Sequence, residues 1–270
     1  MSAILARRTL AALRVRFAVV ALGLALWGFL LPVVYANFGA EFRGAVEGGL
    51  FPELFDVFEA FGGANVFSLG GSVAIGLIHP IPIAMVAIFA IGLPASALAG
   101  ERQRGTLEVL LSRPISRRRL YVTILATTLI LVVATLTANV AGVIVGAAAS
   151  GVASELRLDL LALAWLNATA LFAALATLAL AASASFDRLG QALGLTLGFT
   201  IVAYAIEFLA AIWPDIAWLR PWSLFSYFQP AEILAGDFEP GDLAVLTAVG
   251  AAAVTYGLWL FPRRDLAAPS

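Results

Sequence analysis

The chain has 270 residues, 62% of them hydrophobic, with a mean hydropathy of +0.98 and only 12% charged. A soluble domain carries about a quarter charged residues and a disordered chain few large apolar ones, so both classes are excluded. All 16 basic residues are Arg, Cys is absent and His79 is the only His, which removes disulfide frameworks, Cys-ligated metals, thiol nucleophiles, Lys Schiff bases and phosphate loops of the Gly-Lys-Ser/Thr type. A net charge of -1 argues against a general nucleic-acid surface.

A bilayer core about 30 Å thick needs about 20 apolar residues of helix. Six stretches meet that length: 17–38, 73–99, 120–151, 160–186, 189–213 and 243–261. Five are uncharged and the fifth in order carries only Glu207. The run 120–151 is long enough that it must tilt, kink or extend past the lipid. Long uniform apolar runs lack the alternation of an outer-membrane barrel, and open strands leave edges unsatisfied in lipid. The expected fold class is therefore an all-α membrane protein with six transmembrane helices, forming a single domain over 1–270.

Arginine sets the orientation. Thirteen Arg flank one side (Arg7, Arg8, Arg14, Arg16, Arg102, Arg104, Arg113, Arg117, Arg118, Arg119, Arg188, Arg263, Arg264) and three the other (Arg43, Arg157, Arg220). Both termini are thus expected in the cytoplasm, with twelve of the 17 acids outside. Residues 1–16 resemble a signal-peptide flank, but the run after them is too long for a signal core of about 7–15 residues. Leu10, Leu13 and Phe17 fall at helical spacing, so 1–16 reads either as an interfacial helix on lipid phosphates or as a basic flank that only sets topology.

Three segments outside the spans carry information. In the outer cap 39–71, the stretch 50–61 interleaves Glu53, Asp56 and Glu59 with Phe and Leu, which predicts a short amphipathic helix on the outer leaflet. In the outer cap 214–242, Pro214, Pro221, Pro230 and Pro240 break a segment rich in Trp, Tyr and Phe. Short helices resting on or dipping into the outer face fit it, as an interfacial anchor or a gate. The third segment, the cytoplasmic loop 100–119, holds the densest charge. Thr106–Ser112 reads as a helical turn or two with Leu107, Leu110 and Leu111 on one face. Pro114 stops it, and Ser116 is a natural N-cap for the third span.

That loop carries a resemblance. Glu101, Gly105-Thr106-Leu107-Glu108, Leu110-Leu111, Ser112, Pro114, Ser116 and Arg117 resemble the corresponding loop of ABC-2 type permeases, the membrane subunits of ABC exporters. The family's six helices, basic N-terminal segment, Arg-Arg-Asp after the last helix (Arg263-Arg264-Asp265) and broken apolar segment near 219–230 have counterparts here. Many members carry Lys early in the third span, where this chain has Tyr121-Val122-Thr123. The resemblance implies that the loop is a coupling helix seated on a separate ATP-binding cassette subunit, present in two copies, with a second permease copy completing the transporter. ATP and Mg would sit in the partner, so this chain would bind no cofactor and catalyse nothing itself. Residue by residue, Leu107, Leu110 and Leu111 would fill the partner's groove, with Glu101 and Glu108 on its rim.

Small residues recur at Gly190, Gly194 and Gly198 in the fifth span and at Gly142, Gly146 and Ser150 in the third. Either stripe suits a dimer face or packing inside one subunit, and the fifth-span stripe is the candidate dimer face. Glu207 is a candidate transport-path residue by virtue of lying inside a span, although snorkelling or a bond to a neighbour would also satisfy it. His79, between apolar neighbours and beside Pro80 and Pro82, reads as a packing or hydrogen-bonding residue at a bend. Asn139, Asn167 and Gln191 are candidate inter-helix hydrogen bonds. Other classes fit less well. A membrane enzyme would need more than Gly70-Gly71-Ser72. A secondary transporter or channel would show intramembrane charges or a repeat between halves. A purely structural subunit has no use for the coupling-type loop.

Overall fold

The computed structural model describes residues 3–47, 67–112 and 115–264. Among them there is no strand, and six helices are long and apolar enough to cross a membrane. The elements are α1 (Ala3–Glu47), α2 (Leu69–Ile78), α3 (Pro80–Gln103), α4 (Leu107–Leu111), α5 (Arg117–Ala149), α6 (Leu158–Ser185), α7 (Leu189–Ile212), α8 (Pro230–Ala235) and α9 (Pro240–Arg263). Two 3-10 segments, Pro214–Trp222 and Leu224–Tyr227, join α7 to α8.

Six apolar helices match the expected number. Helix α1 runs unbroken through the basic segment and the first span, so 1–16 is no separate element. Leu10, Leu13 and Phe17 pack against the main core, with Phe17 6.3 Å from Phe89 between ring centroids. That stripe faces protein, not a lipid surface. The helix expected over 50–61 lies outside the described residues. The second span is not one helix.

Its break follows from two prolines. His79 has extended backbone (φ -63°, ψ 140°), ends α2 and caps α3, its Nδ1 accepting from the Ile81 amide at 3.2 Å. In a continuous helix, residues 80 and 82 would donate to the carbonyls of Gly76 and Ile78. Pro80 and Pro82 have no N–H, so both acceptors are orphaned. Aromatic donors from other helices take their place: Trp27 Nε1 donates to Gly76 O at 2.9 Å and the Tyr204 hydroxyl to Ile78 O at 3.1 Å. This is how a broken helix becomes tolerable at membrane depth.

Farther along, α3 widens into two π-helical turns, Ile88–Gly92 and Ser96–Gly100. The second has a visible cause. The fully buried Ser183 of α6 pushes its hydroxyl into the α3 ladder, accepting from the amides of Leu98 (3.2 Å) and Ala99 (2.9 Å) and donating to Ala95 O (2.7 Å). A side chain inserted into the backbone ladder is a known origin of such widening.

Packing is built on small residues. The most buried span is α6, rich in Ala, and it touches α3, α5, α7, α8 and α9. Helices α1 and α5 approach closely along a seam of glycines. A Cβ on Gly142 would come within 2.0 Å of Ala25 O, one on Gly146 within 2.3 Å of Phe29 O, and one on Gly28 within 2.2 Å of Asn139 O. The Gly142/Gly146 stripe thus serves packing inside the subunit, and the buried Asn139 donates from Nδ2 across the same seam to Leu24 O at 3.1 Å. The bundle has two ends. One, the loop end, gathers the start of α1 (Leu5), α4 and the end of α9 around a cluster of Leu98, Leu107, Leu120, Tyr121 and Phe261. The other, the cap end, carries the segment between α7 and α9.

Candidate functional site: the loop after the second span and its ties

The loop begins inside α3, where Glu101, Arg102 and Gln103 form its last turn. Gly105 then takes φ +69°, a left-handed conformation that a side chain strains, and the chain reverses. Glu101 closes the turn: its carboxylate pairs with Arg104 and accepts from the Thr106 hydroxyl, and its carbonyl accepts from the Thr106 amide at 2.9 Å. Ser116, with extended backbone, caps α5 by accepting from the Arg119 amide at 3.3 Å, as its sequence position suggests.

The short helix α4 sits where the sequence places it, but its face is turned. Leu107 is buried in this chain's own cluster with Tyr121 and Phe261, and Leu111 packs at its edge. Glu108 and Val109 are exposed, as are Arg104, Gly105 and Thr106. Helical spacing of leucines shows that one face seeks an apolar surface; it does not show whose. Here the chain's own α5 and α9 supply it. The exposed side of α4 is thus that of Glu108 and Val109, while Glu101 holds the turn. Leu110 has a described backbone only, and Pro114 lies outside the described residues.

Arg117 also turns inward. Its Nη1 donates to Pro262 O at 3.2 Å and to Arg264 O at 2.7 Å, tying the start of α5 to the end of α9. It belongs to a network that the sequence reading did not assemble. Arg102, 2% exposed, donates from Nη1 to Asp187 Oδ1 (3.0 Å) and Phe186 O (2.7 Å). Arg264 reaches the same Oδ1 at 3.0 Å and Ala184 O at 2.9 Å. Gln103 Oε1 accepts from the Leu189 amide at 2.9 Å and so caps α7. The three-residue link 186–188 therefore binds the end of α3 to the end of α9 through one carboxylate. Buried charge of this kind persists only with a counter-charge, and Asp187 is the acid that pairs with Arg102, through Nη1, while Nε and Nη2 have no partner among the described residues. Its one signal in the sequence was position: an acid among arginines, in the only short link on that side.

The remaining predicted residues separate cleanly. Gly190, Gly194 and Gly198 are exposed, and a Cβ on any of them meets nothing within 4 Å. They do not pack within the subunit. Glu207 lies under the cap, 17% exposed, paired with Arg220 and accepting from the Ser226 hydroxyl at 2.6 Å. Around it the cap dips into the bundle: Leu224, Phe225 and Phe228 are buried, and Phe225 meets Tyr204 edge-to-face at 5.4 Å. Ser223 donates to Ala203 O at 2.8 Å, and Asn167 holds both Tyr227 O (2.9 Å) and the Gln229 amide (3.2 Å). Asn167 is thus a tether of the cap rather than a bond between spans. Trp213, Trp218 and Trp222 point outward, 56–78% exposed, as interfacial anchors do.

A family model described as ABC-2 family transporter protein matches residues 9–266. No curated protein matches the chain. The match spans nearly the whole sequence and all six apolar helices, so the chain belongs to the ABC-2 transporter family, as a multi-pass membrane permease.

Proposed function

We propose that this chain is the permease subunit of an ATP-driven exporter, coupled through residues 101–119 to a separate ATP-binding cassette subunit. Two copies of that subunit and a second permease copy complete the assembly, and ATP and Mg are held by the partner. The observation that carries the reading is the bracing of the loop. A force applied at Glu108 and Val109 meets a turn locked by Glu101 and Gly105, a helix seated by Leu107, and an Arg102–Asp187–Arg264 network. That network joins the ends of α3, α6, α7 and α9, and Arg117 adds α5. A loop that only set topology would need the positive charge but none of these ties. The thirteen-to-three distribution of Arg supports placing the loop end and both termini in the cytoplasm of a prokaryotic plasma membrane.

The exposed stripe Gly190, Gly194 and Gly198 supports α7 as the face toward the second permease copy, since small residues allow close helix approach. Glu207, engaged by Arg220 and Ser226, is better suited to holding the cap than to carrying substrate. The test is co-purification with the ATP-binding subunit, followed by ATPase and transport assays on Gly105→Pro and Glu101→Arg. Both variants are expected to insert normally and to lose the complex or the coupling. Unchanged complex and transport in both would remove the coupling role. A secondary transporter would instead run on an ion gradient with no ATP-binding subunit present.

A further inference from the structure

Helices α7 and α9 both pack on α6 but diverge from each other. Between them lies a cleft of about 640 Å³, within the range that holds drug-sized ligands. Its floor is Ala181 and Ala182 of α6; its walls are Leu195 and Phe199 of α7 and Val249 and Tyr256 of α9. Leu195, Phe199 and Tyr256 are 40–57% exposed, so the cleft opens through the lipid-facing side of the bundle.

The few polar groups along it are already satisfied. Thr196 donates to Ala192 O at 2.9 Å, and Ser185 donates to Ala181 O at 2.8 Å and meets the Tyr256 hydroxyl at 3.2 Å. Nothing in the cleft asks for a polar ligand or for water, and such cavities take apolar occupants.

The ends of the walls differ in character. Leu195 and Phe199 lie four residues apart on one face of α7, and Arg188 is the exposed N-cap at the loop end of that helix. Arg263 follows Tyr256 by seven and lies over the Trp259 ring at 5.3 Å, on the same side of α9 as Val249 and Tyr256. Both walls thus end in an exposed Arg at the loop end. An apolar slot open to lipid, with a cation at the membrane-surface end of each wall, matches an amphiphile with an acyl tail and an anionic head.

We infer that the cleft between α7 and α9 binds an anionic membrane lipid, its acyl chain against Ala181 and Ala182 and its headgroup between Arg188 and Arg263. The lipid enters sideways from the leaflet at the loop end. This inference is independent of the ATP-driven reading.

The test uses the purified full-length chain in nanodiscs containing phosphatidylglycerol or phosphatidylcholine with a photoreactive acyl chain. Bulk lipid reaches only the outward side chains, whereas Ala181 and Ala182 are each 7% exposed and are met only through the cleft. Labelling is expected on the 178–185 peptide of α6, with phosphatidylglycerol favoured by roughly 10- to 30-fold for two arginines near the headgroup. Arg188→Gln with Arg263→Gln, both exposed and remote from the core, should abolish that preference while leaving expression unchanged. Ala253→Phe, which fills the wall of the cleft, should remove the label. Equal labelling by the two lipids, a preference that survives the double Arg variant, or a label confined to outward residues would each overturn the inference. So would a cleft covered by the second permease copy, read as labelling that appears only in monomers.

Discussion

Replacing Ser183 with Ala removes one oxygen and three hydrogen bonds. The amides of Leu98 and Ala99 lose their acceptor and Ala95 O loses a donor, all in a region closed to solvent. A buried amide left unpaired costs about 1–3 kcal/mol, so two set a ceiling of about 6 kcal/mol. The backbone has one escape: the π turn Ser96–Gly100 closes into α-helix and Ala99 bonds Ala95 directly. Closing it rotates everything downstream by about 100°, one residue of helix. Arg102 and Gln103, fixed to Asp187 and to Leu189, resist that rotation. Neither relaxed nor unrelaxed structure recovers the full loss, and a net destabilisation of about 2–4 kcal/mol is expected. Hydrogen exchange read by mass spectrometry on the purified protein should show faster exchange in the peptide spanning 95–103, with a lower melting temperature. Under the coupling proposal, ATP turnover by the complex should also fall out of step with transport. Exchange and melting temperature indistinguishable from the parent would refute the account of the widened helix.

Four further outcomes follow from the packing and the polar ties. Gly142→Val should abolish folded protein on size-exclusion chromatography, because its Cβ meets backbone at 2.0 Å, whereas Gly194→Ala on the open stripe should fold normally. Tyr121→Phe should be neutral or stabilising by up to about 1 kcal/mol in a melting assay, since the buried Tyr121 hydroxyl has no partner among the described residues. Asp187→Asn should weaken the loop end measurably, with increased proteolysis near 104–112, because Arg102 keeps its burial and loses its counter-charge. Glu207→Gln should loosen the cap by no more than about 1 kcal/mol, given the 42% exposure of Arg220, and protease access to 214–229 is the readout.

The six apolar helices were legible because apolar length is a direct consequence of the bilayer, and Ser116 because an N-cap demands a particular residue type, whereas Gly105 entered only through the loop motif and its left-handed turn came from the fold. What escaped depends on partners distant in sequence. Ser183 is one Ser in an Ala-rich helix, indistinguishable there from a filler, until α3 is laid against it. Trp27 and Tyr204 look like interfacial aromatics until the carbonyls orphaned by Pro80 and Pro82 arrive beside them. Leu107 and Leu111 fit the same helical period whether they meet a partner or their own core, so periodicity could not choose between them. Nor could it separate the two glycine stripes: only the approach of α1 shows that Gly142 and Gly146 are occupied and that Gly190, Gly194 and Gly198 are free. The basic residues of 1–16 do not interrupt a helix, and α1 simply continues through them.

The central claim is that the exposed side of α4 meets an ATP-binding subunit. The chain contains no Cys, so Val109→Cys places a single thiol on that side, at a residue 66% exposed. A short thiol-reactive photocrosslinker on that thiol, in membranes co-expressing the two proteins, should join the permease to the ATP-binding subunit, and the yield should change with ATP. The same probe at Leu26→Cys, exposed on the middle of α1, should give no such product. A crosslink from position 26 but not from 109, or none from 109 while the complex co-purifies intact, would contradict the account.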